Sequence, residues 1–152
     1  MRARLAVASL SLSAATLVAM ALHEGYRGDA YMPTLNDVPT IGFGTTASVK
    51  LGDRITPERA LVRLLADASR FEQAVKRCAP VPMHDYEFQA YVSLTYNIGE
   101  GAFCRSTAAR LLTAGDYAGA CRAILMWDKQ AGKPLAGLTK RRQDEYKRCI
   151  GE

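Results

Sequence analysis

The 152-residue sequence predicts an α+β fold that is mainly helical. Two observations carry this: apolar residues recur at helical spacing through most of the chain after Thr56, and one strand-like patch, Ala30 to Thr46, is rich in Tyr, Thr, Val, Ile and Phe between Pro and Gly. A hydrophobic content of 49% with 23% charged residues suffices for one core, and no internal repeat or low-complexity tract is present.

The elements follow in chain order. Leu5 to Leu22 is an uncharged run of eighteen residues preceded by Arg2 and Arg4. A helix of that length spans roughly 27 Å, near the thickness of a bilayer core. Six Ala, three Ser and one Thr make it a weak anchor, with the two arginines on the cytoplasmic side. The expectation is a weakly held helix over residues 1–22 and a soluble domain over 23–152. A cleaved signal peptide with an A-x-A site at Ala19, Met20 and Ala21 is the alternative. A buried core helix does not explain the clean separation of Arg2 and Arg4 from the uncharged run.

After the strand-like patch, Thr56 as N-cap and Pro57 at the first helical position open a helix toward Arg77, with Ala60, Leu61, Leu64, Leu65, Ala68, Phe71 and Val75 on one pattern. Pro80 and Pro82 end it. A second helix is expected from Asp85 to Asn97, stopped at Gly99, and three shorter ones over Ser106 to Ala114, Asp116 to Trp127 and Gly137 to Cys149.

The net charge of +5 suits an anionic partner, yet no nucleic-acid motif with stacking aromatics accompanies it. Cys78, Cys104, Cys121 and Cys149 are an even number without a C-x-x-C, and only two His are present, so no metal site is expected. Two disulfides in an oxidising compartment are the economical reading, with three connectivities open.

The segment "HEGYRGDAY" followed by "PTIGFGTT" resembles the active-site region of the phage-type lysozymes, glycoside hydrolase family 24. The likeness extends over "FQAYVSLTYNIGEGAFCRSTAARLLTAGDYAGACRAILMWDKQAGKPLAGLTKRR" and so covers nearly the whole chain. It implies a lysozyme-like fold with a small β-hairpin lobe and a helical C-terminal lobe. It also implies hydrolysis of the β-1,4 bond between N-acetylmuramic acid and N-acetylglucosamine in peptidoglycan, without a cofactor.

By the same likeness Glu24 is the general acid, a role that needs a carboxyl kept protonated by apolar surroundings. Thr40 matches the family threonine, whose hydroxyl can hold a water on the opposite face of the sugar, as an inverting reaction requires. Gly42 and Gly44 serve the backbone and the close approach of saccharide, and Tyr31 and Thr34 flank the substrate. The second carboxylate departs from the pattern: the family positions nine residues after the glutamate and six before the threonine are Pro33 and Thr34 here. Asp37 is the replacement expected, Asp29 a lesser candidate, and an arrangement using Thr34 and Thr40 without a second acid stays open.

The weakly hydrophobic N-terminus resembles those of signal-anchor-release endolysins. That likeness implies export by the Sec machinery, a form tethered to the inner membrane of a Gram-negative host, and later release to the periplasm as a monomer. The endolysin relatives also imply pairing of Cys78 with Cys104 and of Cys121 with Cys149. A lytic transglycosylase and a noncatalytic wall-binding protein of the same fold are the two other readings.

Overall fold

The computed structural model describes residues 3–152. Seven helices and two small antiparallel hairpins are present among them: α1 (Ala14–Glu24), β1 (Arg27–Tyr31), β2 (Thr40–Gly42), α2 (Pro57–Cys78), α3 (Asp85–Ile98), α4 (Glu100–Cys104), α5 (Thr107–Thr113), α6 (Tyr117–Ile124), β3 (Lys129–Gln130), β4 (Lys133–Pro134) and α7 (Ala136–Cys149). The chain divides into two compact units, one of Ser13–Arg70 and the other of Phe71–Glu152 with the described residues up to Leu12.

Within the first unit, the Ser13 hydroxyl accepts from Thr16 N and caps α1, which ends at Glu24 because Gly25 turns the chain with φ +72°. β1 and β2 pair Arg27 with Gly42 and Tyr31 with Thr40, and the unequal spacing marks an irregularity of the bulge kind. On its other side β1 is held by residues 53–55: Ala30 N donates to Asp53 O at 3.0 Å and Ile55 N to Gly28 O at 2.9 Å. α2 opens as expected, with Arg59 N donating to Thr56 Oγ1.

The second unit is helical. Phe88, Tyr91, Leu94, Phe103, Leu112 and Ile124 are fully enclosed in its core. Ser93 and α7 add a polar network: the Ser93 hydroxyl donates to Glu145 Oε1 at 2.7 Å, Arg141 Nε lies 3.2 Å from the same oxygen, and Arg142 Nε lies 2.8 Å from Oε2. Burial pushes the Glu145 carboxyl up, opposed by the two guanidiniums and the Ser93 hydroxyl.

The N-terminal run departs from the single helix expected over Leu5 to Leu22. Leu5 instead exchanges backbone hydrogen bonds with Met83, Val7–Ser9 is a turn of 3₁₀ helix, and α-helix begins only at Ala14. Val7 and Leu10 belong to the helical core, so in this fold the core reading describes part of the segment. No helix among the described residues is long and apolar enough to cross a membrane. Arg2 lies outside the described residues. The hairpin β3–β4 and the short α4 were not expected; both are brief and lack an apolar pattern.

Cys78 is bonded to Cys104 and Cys121 to Cys149, the pairing implied by the endolysin resemblance. Tyr91 Oη sits 3.6 Å from Cys121 Sγ and 3.4 Å from Cys149 Sγ, and burial raises its pKa so that the phenol stays a donor. With 28 residues separating Cys121 from Cys149, the bond restricts the unfolded chain by roughly 3.5 kcal/mol in the loop-entropy model. Replacing both by Ser should lower the unfolding free energy by about that amount in urea titrations, with a larger loss if Tyr91 is left unsatisfied.

Candidate active site

Glu24 is the last residue of α1 and is half-buried. Gly25 reverses the chain immediately after it and starts the path into β1, so the Glu24 backbone lies where the helix gives way to the hairpin. Thr40, 6% exposed, opens β2 opposite Tyr31. Its hydroxyl donates to Val38 O at 3.1 Å, which leaves the oxygen lone pairs to accept from another molecule.

Gly42 is held tightly. It has φ +66°, and a Cβ there would lie 2.9 Å from Ala60 Cβ on α2. Gly44 has φ +91° and lies in the turn closed by the mutual hydrogen bonds of Ile41 and Thr45 at 3.0 and 3.1 Å. That turn is anchored to α2, where the Thr45 hydroxyl donates to Asp67 Oδ2 at 2.6 Å and Arg63 Nη2 donates to Ala47 O at 2.6 Å. Tyr26 and Phe43 pack across the hairpin with ring centroids 5.6 Å apart. Tyr31 is half-buried under the Arg27 guanidinium, 4.4 Å from the ring centroid.

The candidate second acids differ in their commitments. Asp29 is paired with Arg54 at 2.7 Å on the far edge of β1. Asp37 is exposed in the loop before β2; Val38 N donates to its Oδ1 at 2.8 Å and the Thr34 hydroxyl to its Oδ2 at 3.2 Å. Asp37 therefore forms a turn with Thr34, and its carboxylate has a fixed orientation. Neither Pro33 nor Thr34 supplies an acid, as the sequence indicated.

Residues 21–145 match the phage lysozyme family model. The chain belongs to that family. It is a lysozyme, a glycoside hydrolase of the endolysin type whose substrate is peptidoglycan. It is 37% identical to the SAR-endolysin of Pseudomonas phage phiKMV over 94% of this chain and 89% of that protein. Among solved structures, the endolysin from Escherichia coli O157:H7 phage FAHEc1 has a TM-score of 0.83 at 36% identity, covering 94% of this chain and 95% of its own. The muramidase domain of SpmX from Asticaccaulis excentricus has a TM-score of 0.87 at 29% identity, covering 94% and 99%.

One feature of this hairpin region escaped the sequence. Residues 53–55, flanked by Gly52 and Pro57, carry no strand pattern, yet they close the outer edge of β1. The Thr34–Asp37 turn, by contrast, accords with the turn-forming reading that Asp37 in "TLND" offers. Gly42 gives the sharpest structural test of the hairpin. Gly42→Ala sets a Cβ against Ala60 and forces a positive φ on an L residue, so a stability loss of about 2 kcal/mol is expected. Thermal unfolding with a parallel activity assay checks it; a wild-type melting temperature would show that the hairpin yields.

Proposed function

We propose that Glu24 is the general acid of this lysozyme, that Thr40 positions the attacking water, and that Asp37 takes that water's proton. The reading is carried by one observation: Glu24 ends α1 directly before the hairpin on which buried Thr40 sits. Protonated Glu24 gives its proton to the oxygen of the scissile β-1,4 bond between N-acetylmuramic acid and N-acetylglucosamine. As the anomeric carbon to oxygen bond breaks, water bonds to that carbon from the opposite face, which inverts its configuration. Because the Thr40 proton is committed to Val38 O, the Thr40 oxygen accepts from the water and leaves a water lone pair aimed at the sugar. The water's second proton passes to Asp37, whose carboxylate is oriented by Thr34 and Val38 N. Tyr31, Thr34, Gly42 and Gly44 frame the saccharide.

We further propose that residues 1–22 act as a signal-anchor-release segment on a catalytic domain of residues 23–152. The enzyme is exported through the Sec machinery, waits inactive on the periplasmic face of the inner membrane of a Gram-negative host, and is released intact as a monomer. The resemblance of the N-terminal run and the name of the phiKMV relative support this. So does the use of Val7 and Leu10 in the helical core, which requires that they be out of lipid.

Glu24→Gln should abolish release of reducing ends from peptidoglycan while wall binding persists, because the amide keeps the volume and loses the acidic proton. Thr40→Ala should cut turnover about a hundredfold, on the scale of losing a positioned hydrogen-bonding group. Asp37→Asn tests the relocated base: a large drop in turnover is expected, and a full-rate variant leaves the water to Thr34 and Thr40 alone. Product analysis separates the classes, since 1,6-anhydro ends mean transglycosylation and no cleavage means wall binding only. For the N-terminus, mass spectrometry should find residues 1–22 on both membrane-bound and soluble enzyme. A mature chain starting at Leu22 with full activity would mean a cleaved signal peptide.

A further inference from the structure

Arg4 precedes an uncharged run, where the ordinary use of a cation is to hold a segment on the cytoplasmic side. In the folded chain it has a second use. Its guanidinium grips Glu87 with two hydrogen bonds, Nη2 to Oε1 at 2.7 Å and Nε to Oε2 at 3.0 Å. Its carbon centre also stacks 3.6 Å from the centroid of the Tyr117 ring. The Tyr117 hydroxyl in turn donates to Pro82 O at 2.7 Å, which fixes the ring.

The Glu87 side chain is 4% exposed, and its Oε2 also accepts from His84 N at 2.8 Å at the start of α3. A carboxylate buried to that degree is costly unless a cation meets it, and two parallel bonds to Arg are the strongest way to do so. Beyond Arg4 the chain is fastened residue by residue. Leu5 and Met83 exchange hydrogen bonds at 2.8 and 2.9 Å, and Val7 and Leu10 enter the core. Gln89 Nε2 donates to Ser11 O at 2.8 Å, and Leu12 N donates to Glu72 Oε2 at 2.9 Å. Ser13 then begins α1, whose last residue is Glu24.

We propose that Arg4 and Glu87 form a latch that closes when the N-terminal strap has left the bilayer and seats it on the helical unit, making both positioning residues for Glu24. The order of events the latch serves rests on the release reading above; the latch itself is a property of the soluble enzyme. Apart from Arg4, the Glu87 carboxylate accepts from the backbone N–H of His84, so on the release reading the arginine next to the uncharged run is also the group that completes this buried carboxylate. Lys is a poor substitute, because a point charge can neither fork onto both oxygens nor lie flat on Tyr117.

The test uses purified, soluble, full-length enzyme, which takes the membrane out of the measurement. Arg4→Gln and Glu87→Gln are compared with the double variant, and Arg4→Lys serves as the conservative case. The Gln at 87 still accepts from His84 N, so the helix start is preserved while the guanidinium meets an amide N–H. Each single variant should lower kcat about tenfold with KM unchanged, and the double should be no worse than either, as groups acting only through each other behave. Amide exchange at Leu5 and Met83 should accelerate about tenfold while protection in α3 and α7 stays, a separation that general destabilisation does not give. Arg4→Lys should recover only part of both readouts. Wild-type kcat and protection in Arg4→Gln, or additive losses in the double variant, would overturn the latch. Failure of the release reading has a different signature: intact-mass analysis of periplasmic enzyme showing that residues 1–22 are gone.

Discussion

Val7 and Leu10 close the helical core from the opposite end of the sequence, and much else in the protein depends on that placement. Each side chain contributes about 1.5–3 kcal/mol relative to water. Relative to lipid it contributes almost nothing, because hydrocarbon and protein core are equally apolar. On the release reading proposed above the segment starts in a bilayer, and polar terms then decide where it rests. The folded chain supplies them: the Leu5–Met83 backbone pair, the Ser13 cap on α1, and the charge-assisted grip of Arg4 on Glu87. The Ala and Ser residues that make the run a poor anchor are those that a short 3₁₀ turn and a tight strap accommodate without bulk.

The same balance explains why the N-terminal run was the least legible part of the sequence. Hydropathy reports that residues avoid water and is silent on which apolar medium receives them, so eighteen uncharged residues read as one helix. The break into strap, 3₁₀ turn and α1 is set by Met83 and Glu87, about eighty residues away, and no local pattern carries that distance. Elements with a strong local signal were readable. Thr56 and Pro57 marked the start of α2, Gly99 the end of α3 and Asp116 the cap of α6, whose carboxylate accepts from Gly119 N at 2.8 Å. α4 hid because it starts directly after Gly99 and carries Gly101 within its five residues. The β3–β4 pair hid because its turn is made by Ala131 and Gly132 at positive φ between exposed, polar two-residue strands.

Glu24 and Thr40, the acid and the water-positioning residue proposed above, were read from a motif, and the structure shows what sets the local backbone around each. α1 must end where it does because Gly25 turns, and β2 must lie close to α2 because Gly42 has no Cβ to hold it off Ala60. Arg141, Arg142 and Glu145 stand on α7 at the i,i+4 and i,i+3 spacings of helical ion pairs. Their burial, and the Ser93 hydroxyl that Glu145 engages across from α3, come only from tertiary packing.

The loop from Met32 to Val38 carries the remaining tension. It lacks the acid expected at Pro33 or Thr34, exposes Leu35 almost completely, and passes through Asn36 at φ +67°. A longer loop loses more entropy when ordered, and a base on it is useful only if the loop holds one shape. Thr34 meets that demand from the position where the acid is missing: its hydroxyl donates to Asp37, whose other oxygen receives Val38 N, and the next commitment along the chain is the Thr40 hydroxyl on Val38 O. A loss of the Thr34 hydroxyl would therefore loosen Asp37 first and Thr40 second, through Val38. In the mechanism proposed above, the residue standing where an acid is expected acts by orienting Asp37, the carboxylate assigned to the water's proton, so a threonine there is consistent with that reading.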